Sequence, residues 1–296
     1  MRHAWLILAH NQFPMLKKLI AFLDGEDSGI FLHIDQKAAD APLGELAAAA
    51  KVSPVRFVER RSISWGDFSM VEAELDLLRA AVSEGCDRFH LLSGVDAPIK
   101  SRDYIRSFFE EHPETNFINF QQPVIGEHEL WRVRFYYLFQ RRNIRKVPVR
   151  RALRNASIAP QLLLGVDRTK NYPELTFQKG AQWFSVTRDF AEYVLEQEAL
   201  IRRVFAKTYC PDELVMQTLA VSSLFRDTLA PHAFENDYRS CCRYIDWKRG
   251  NPYVFRETDL EELLHAPEEC LFARKFDDAR YPGLTDRLYA ALAAEK

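Results

Sequence analysis

The chain has 296 residues, 47% of them hydrophobic, enough to bury a sizeable core in one large α/β domain or two small ones. Forty basic against 42 acidic side chains give a formal net charge of -2, which argues against a dedicated nucleic-acid binder unless the charge is segregated along the chain. The five cysteines, Cys86, Cys210, Cys241, Cys242 and Cys270, form no C-x-x-C pair and no Cys/His grouping with zinc-ligand spacing, so reduced thiols of a cytoplasmic protein are expected.

The N-terminal MRHAWLILAHNQF starts basic, but its apolar run stops at His10. That is too short for a signal-peptide core or for a membrane span of about 20 residues, and it reads as a first strand. AWLILAH (residues 4–10) is followed by Leu16, Leu19, Ile20 and Leu23, the i, i+3, i+4, i+7 spacing of one helix face. The pattern recurs as IFLHI with an alanine-rich helix near 42–51, VRFV with a helix near 69–83, FHLLSG with a helix near 102–111, and then FINF. Strands alternating with helices imply a mostly parallel sheet with crossover helices. Continuous apolar runs, as opposed to alternating ones, place that sheet at the centre of the molecule. In open α/β sheets ligands sit outside the carboxyl ends of the strands, which gathers His10, His33, Asp35, Gly94 and Asp96 into one candidate site. No G-x-G-x-x-G follows the first strand and no G-x-x-x-x-G-K occurs, so neither a dinucleotide fingerprint nor a P-loop is available.

After about residue 121 the rhythm breaks. Residues 132–154, RVRFYYLFQRRNIRKVPVRRALR, carry nine Lys/Arg and no acid, a basic stretch suited to a solvated loop, a phosphate, an anionic acceptor or a membrane surface. Regular structure resumes over 174–226 with FQKGAQWFSVT, a helix over 188–196, and CPDELVMQTLAVSSLF. With no internal repeat or low-complexity linker, residues 1–296 read as one domain. Its half 1–121 forms the ligand-binding sheet and its half 122–296 completes the site.

Several residues carry candidate chemistry. Asp35 ends the second strand, where a carboxylate either accepts hydrogen bonds from a base or ribose or caps the next loop. Trp65, beside Gly66 and ahead of a helix, lines a pocket or fills core. Pro211 suits a first helical position and puts Asp212 and Glu213 in the first turn, where acids complement the helix dipole or one serves as a general base. Trp183 offers a flat face to an acceptor sugar or packs in the core. Arg243, Arg274 and Lys275 are cations in apolar sequence, whose partner is either a structural carboxylate or a phosphate.

Taken in order, LILAHN, FLHIDQK, ISWGDFSMVEAELDLL, HLLSGVDAPIKS, KGAQWFSVT, CPDELVMQTLA, RYIDW and LFARKFD resemble the core-2/I-branching β-1,6-N-acetylglucosaminyltransferase and peptide O-xylosyltransferase family. The resemblance spans nearly the whole chain. It implies a GT-A-type, Rossmann-like α/β fold, a UDP-sugar donor bound by the half 1–121, a glycan or other hydroxyl acceptor, and inversion at the anomeric carbon. It also implies Glu213 as base, Arg243 and Lys275 at the diphosphate, Ala9, Asp35 and Trp65 near the nucleoside, and Asp96 at the sugar end of the donor. The sequence contains no D-x-D, the usual metal anchor of such donor sites, so no metal or other cofactor is expected and basic side chains take its place. The chain lacks the membrane anchor and disulfide-rich cysteine set of animal members. That fits a bacterial-type cytoplasmic enzyme building a surface glycan, with peripheral contact at the inner membrane face through 132–154 and no nucleic-acid partner. The other reading is a non-catalytic protein that uses 132–154 on an anionic polymer or membrane surface.

Overall fold

The structure, a computed structural model, describes residues 1–138, 148, 152 and 155–294. Four parallel strands open it: β1 (His3–Ala9), β2 (Ser28–Ile34), β3 (Val55–Phe57) and β4 (Arg88–Ser93). Three short strands complete the sheets' first halves: β5 (Ala97–Pro98), β6 (Phe117–Ile118) and β7 (Phe184–Thr187). The main sheet runs β3-β2-β1-β4-β7-β6. The α/β class and mostly parallel central sheet expected from the sequence are those observed. One half departs from expectation, because β7 lies antiparallel to both β4 and β6.

Alternation along β1 sends successive side chains to opposite faces. Trp5 and Ile7 join Leu16, Leu19, Ile20 and Leu23 of the helix Phe13–Leu23. Leu6 joins Val71, Leu75 and Leu78 of the helix Ser69–Ser83 on the other face. Burying one such aliphatic side chain contributes about 1.5–3 kcal/mol, so the doubly covered sheet dominates the core. Two crossover helices start on side-chain caps: the Ser101 hydroxyl accepts from the Tyr104 N–H, and the Thr187 hydroxyl from the Phe190 N–H. At the amino ends of the strands His3 Nδ1 meets His90 Nε2 at 3.0 Å and His90 Nδ1 meets the Ser185 hydroxyl at 3.0 Å, with Trp5 stacked on the His90 ring.

A second sheet, ordered β5-β9-β8, adds β8 (Arg243–Ile245) and β9 (Phe272–Arg274). β9 pairs antiparallel to β5 and parallel to β8. The Phe276 N–H donates to the Val95 carbonyl at 3.0 Å, which binds the chain after β9 to the loop after β4. Three sequence expectations are corrected in detail. The alanine-rich helix is confined to Leu43–Ala47. Only Phe117 and Ile118 of FINF pair as a strand. Pro211–Glu213 is a separate 3₁₀ turn entered through a left-handed Cys210 (φ 49°), and the helix proper is Val215–Val221. Asp212 and Glu213 are therefore not in that helix's first turn. No helix among the described residues is long and apolar enough to cross a membrane. Of the basic stretch 132–154, residues 139–147, 149–151, 153 and 154 lie outside the described residues, and with them most of the contacts expected of it.

Candidate active site

Parallel β1, β2 and β4 end side by side, and their carboxyl ends open onto a cleft of about 270 Å³. Ala9, His10, Asp35 and Gly94 line it from the main sheet, Trp65 from the loop before the helix Ser69–Ser83, and Arg274 and Lys275 from the end of β9. Gly94 is required by close approach, since a Cβ there would stand 2.9 Å from that of Ala9. Asp35 is set by its own backbone, which donates to the Ala9 carbonyl at 2.9 Å. Its Oδ1 accepts from the Lys37 N–H at 2.9 Å and Oδ2 lies 3.6 Å from the Lys37 ammonium. Burial lowers the pKa of His10 beside it, against the pull of Asp35, so His10 is a neutral side chain at neutral pH.

Of the two arginines of the small sheet, Arg243 is placed differently from what the sequence implied, and Arg274 has the carboxylate partner that was one of its two expected ones. Arg243 is fully buried: its guanidinium donates to the carbonyls of Cys241 and Leu91 at 2.8 Å each and of Phe184 at 3.3 Å, over the Phe272 ring. It does not line the cleft. Backbone oxygens take the donors of both its Nη atoms, and its Nε is buried without a hydrogen-bond partner. Arg274 does line the cleft. Its Nη1 lies 3.3 Å from Oδ1 of Asp96, and its guanidinium stacks 3.9 Å from the Trp183 ring centre.

Asp96 is fully buried and takes the Ser93 N–H and hydroxyl at 2.8 Å each. It stands behind the cleft as the anchor of Arg274, and does not face the opening as the donor-contact reading supposed. Trp183 is at the same cleft, with one face covered by Arg274.

Glu213 is placed by a second group of elements. Its Oε2 is 2.7 Å from Arg132 Nη1, on the helix Glu127–Arg134, and 3.4 Å from the Lys179 ammonium. Its carbonyl accepts the Gly180 N–H at 3.0 Å. Gly180 itself admits no side chain, because a Cβ would fall 1.7 Å from the Asn119 carbonyl oxygen. Two contacts tie this turn to the cleft: the Cys210 N–H donates to the Gly66 carbonyl at 3.0 Å, and Trp65 meets Tyr209 edge-on with centroids 5.7 Å apart. Segment 179–183 forms the other connection, from Lys179 at Glu213 through Gln182 in the cleft wall to Trp183 on Arg274.

The profile of the Core-2/I-Branching enzyme family matches residues 3–263, most of the chain, including Asp35, Trp65 and Glu213 but not Arg274 and Lys275. The chain belongs to that family. Among curated relatives it is 23% identical over 304 residues to the human β-1,3-galactosyl-O-glycosyl-glycoprotein β-1,6-N-acetylglucosaminyltransferase, covering 93% of this chain and 65% of that one. It is 24% identical over 294 residues to human xylosyltransferase 2, covering 93% of this chain and 32% of that one. The chain thus spans under two thirds of the first and about a third of the second. A solved structure of mouse xyloside xylosyltransferase 1, in its apo form, aligns over 92% of this chain and 96% of its own, at a TM-score of 0.38 and 10% identity. That likeness is too remote to bear on the site.

Within this family member, sequence reading missed Lys179, Glu74 and Gln182, and it singled out Arg274 as a cation in apolar sequence without giving it a place at the diphosphate. Glu74 had a signal: it sits between Val71 and Leu78 on the buried stripe of a helix, where an acid is out of place. Lys179 and Gln182 had none, since what defines them is the approach of segment 179–183 to residues distant in the chain, Glu213 for Lys179 and Glu74 for Gln182.

Proposed function

We propose that this family member is an inverting, metal-independent glycosyltransferase of GT-A type, moving a sugar from a UDP-sugar to a hydroxyl of a glycan or other acceptor. N-acetylglucosamine or xylose is the sugar, surface polysaccharide synthesis the role, and the cytoplasm the place, with peripheral membrane contact through 132–154. The observation that carries the reading is the meeting of Asp35, from the end of β2, with Arg274 and Lys275, from the end of β9, in one cleft. A nucleotide diphosphate needs both ends: hydrogen-bond acceptors for the nucleoside and fixed cations for the phosphates.

In a single displacement the acceptor oxygen attacks the anomeric carbon while its proton passes to Glu213, and the bond to the β-phosphate oxygen breaks with its electron pair. Charge then builds on the diphosphate. Lys275 meets it as a point charge and Arg274 as a planar fork, preorganised by Asp96 and Trp183 so that neither must reorient at that moment. Arg274 takes the place that the sequence reading gave to Arg243.

A thermal-shift screen of nucleotide sugars tests the reading. A donor at about 100 times its dissociation constant adds about 2.7 kcal/mol of stability. Stabilisation by a UDP-sugar and turnover that persists in excess EDTA are expected. No shift with any nucleotide sugar, together with retention on heparin, would favour the anionic-polymer reading, and turnover abolished by EDTA and restored by manganese would end the metal-free mechanism.

A further inference from the structure

Behind the cleft wall, three acids meet two cations, and the charges do not cancel. Arg132 and Lys179 both approach Oε2 of Glu213. Glu74, on the helix Ser69–Ser83 that packs against the turn Pro211–Glu213, is 4% exposed. Its Oε1 accepts one hydrogen bond, from Nε2 of Gln182 at 2.7 Å. Asp212 keeps Oδ1 sequestered from solvent with no hydrogen-bond partner. Among the described residues neither Glu74 nor Asp212 has an ion pair. A buried carboxylate without a counter-ion is costly, and two such acids in one electrostatic environment keep a proton.

We propose that Glu74 is a positioning residue that holds a proton beside Asp212, sparing this buried cluster one negative charge and fixing Gln182 in the cleft wall. Gln182 is where this acid pair touches the site: its side chain lines the cleft and its amide is committed to Glu74. The direction of both titrations agrees. Burial, and then the charge of Asp212, push Glu74 well above the carboxylate range. Burial, and then Glu213, push Asp212 up to about 7. The other charged or titratable groups facing the pair are Cys210 on the turn, Arg132 from the helix Glu127–Arg134 and Lys179.

The consequence at the cleft rests on the glycosyltransferase reading; the proton does not. When the pair loses its proton at alkaline pH, a negative charge appears behind a cleft built for an anionic diphosphate. A unit charge beyond the wall of a partly buried anion site changes affinity by up to about tenfold.

Isotope-edited infrared spectroscopy of the full chain at neutral pH gives the first test. A neutral glutamic acid carbonyl band that disappears in Glu74→Gln is expected, and Asp212→Asn should move its titration to lower pH. Absence of a Glu74 acid band at neutral pH overturns the proposal. Calorimetry of UDP binding from below to above neutral pH gives the second. Wild-type affinity should fall by up to about tenfold across the transition, Glu74→Gln, which removes the titration of Glu74 and leaves that of Asp212, should lose less, and the double variant Glu74→Gln/Asp212→Asn should stay flat. Parallel pH curves overturn the positioning role even with the band present. If neither protein binds UDP, the glycosyltransferase reading and the cleft consequence fail together, and the infrared titration still decides where the proton is.

Discussion

Two arginines of one small sheet illustrate how far a residue's neighbours, and not its type, decide its role. Arg243 spends its donors on the carbonyls of Cys241, Leu91 and Phe184, and leaving several buried acceptors unpaired costs about 1–3 kcal/mol each. Arg243→Ala should therefore lower the urea midpoint sharply, by the equivalent of roughly 3 kcal/mol or more. A folded Arg243→Ala with unchanged midpoint and lost UDP affinity would return it to the diphosphate. Lys275→Ala should behave the opposite way, weakening UDP in calorimetry with little change in midpoint, whereas Arg274→Ala should weaken UDP and also lower the midpoint, because it leaves the buried Asp96 without its cation. On the proposed reading both face one diphosphate, so the double variant should lose less affinity than the sum of the two. Glu213→Gln keeps the turn and deletes the proton acceptor, so turnover should drop by roughly 10²- to 10⁴-fold at nearly unchanged donor affinity. A variant that retains most of its turnover would move the role to Asp212. The meeting of Asp35, Trp65 and Lys275 at one cleft was legible because each lies near the end or the start of a regular element, whereas the separate turn that carries Glu213 was not. The fate of Arg243 was not, because backbone carbonyls carry no sequence signal.

Elements were read best where one physical rule governed them. Apolar runs such as AWLILA, buried on both faces, and the heptad-like stripe Leu16, Leu19, Ile20, Leu23 left little choice of structure. Reading failed where pairing partners are far apart in sequence, as in β5, β8 and β9, or where a strand enters antiparallel, as β7 does. Segment 179–183 is such a case, and it connects Glu213, Gln182 and Arg274 in five residues. Gly180→Ala tests it, since the added carbon overlaps the Asn119 carbonyl. Backbone that cannot shift costs several kcal/mol, and backbone that does shift breaks the hydrogen bond to the Glu213 carbonyl. The expected outcome is a lower melting temperature and a turnover loss larger than that of Ala181→Gly at the neighbouring position. Equal effects of the two changes would show that the close approach does not matter.

Across the whole molecule, the buried His3 and His90 pair makes the fold sensitive to acid. Burial lowers His3 to about 4 and His90 well below 6.5, so both are neutral in the folded state. Unfolded histidines titrate near 6.5. Between about 6.5 and 4 the unfolded chain therefore binds more protons, and stability falls with falling pH by about 1.4 kcal/mol per unit for each histidine. Urea midpoints should drop from pH 7 to about 5, and His90→Gln should flatten that dependence; an unchanged slope would show that carboxylates, not these rings, set acid stability. The same wide view shows why the cleft and the turn with Glu213 cannot be treated as interchangeable parts. The Gly66 carbonyl and the Trp65 ring are held by Cys210 and Tyr209, the residues that lead directly into Pro211–Glu213. Any exchange of the 62–67 loop would drag the turn that carries Glu213, the proposed base, with it. On the glycosyltransferase reading, donor preference in this scaffold can therefore drift only along paths that rebuild both places at once, so grafting that loop alone from a relative should yield a protein that binds and does not turn over.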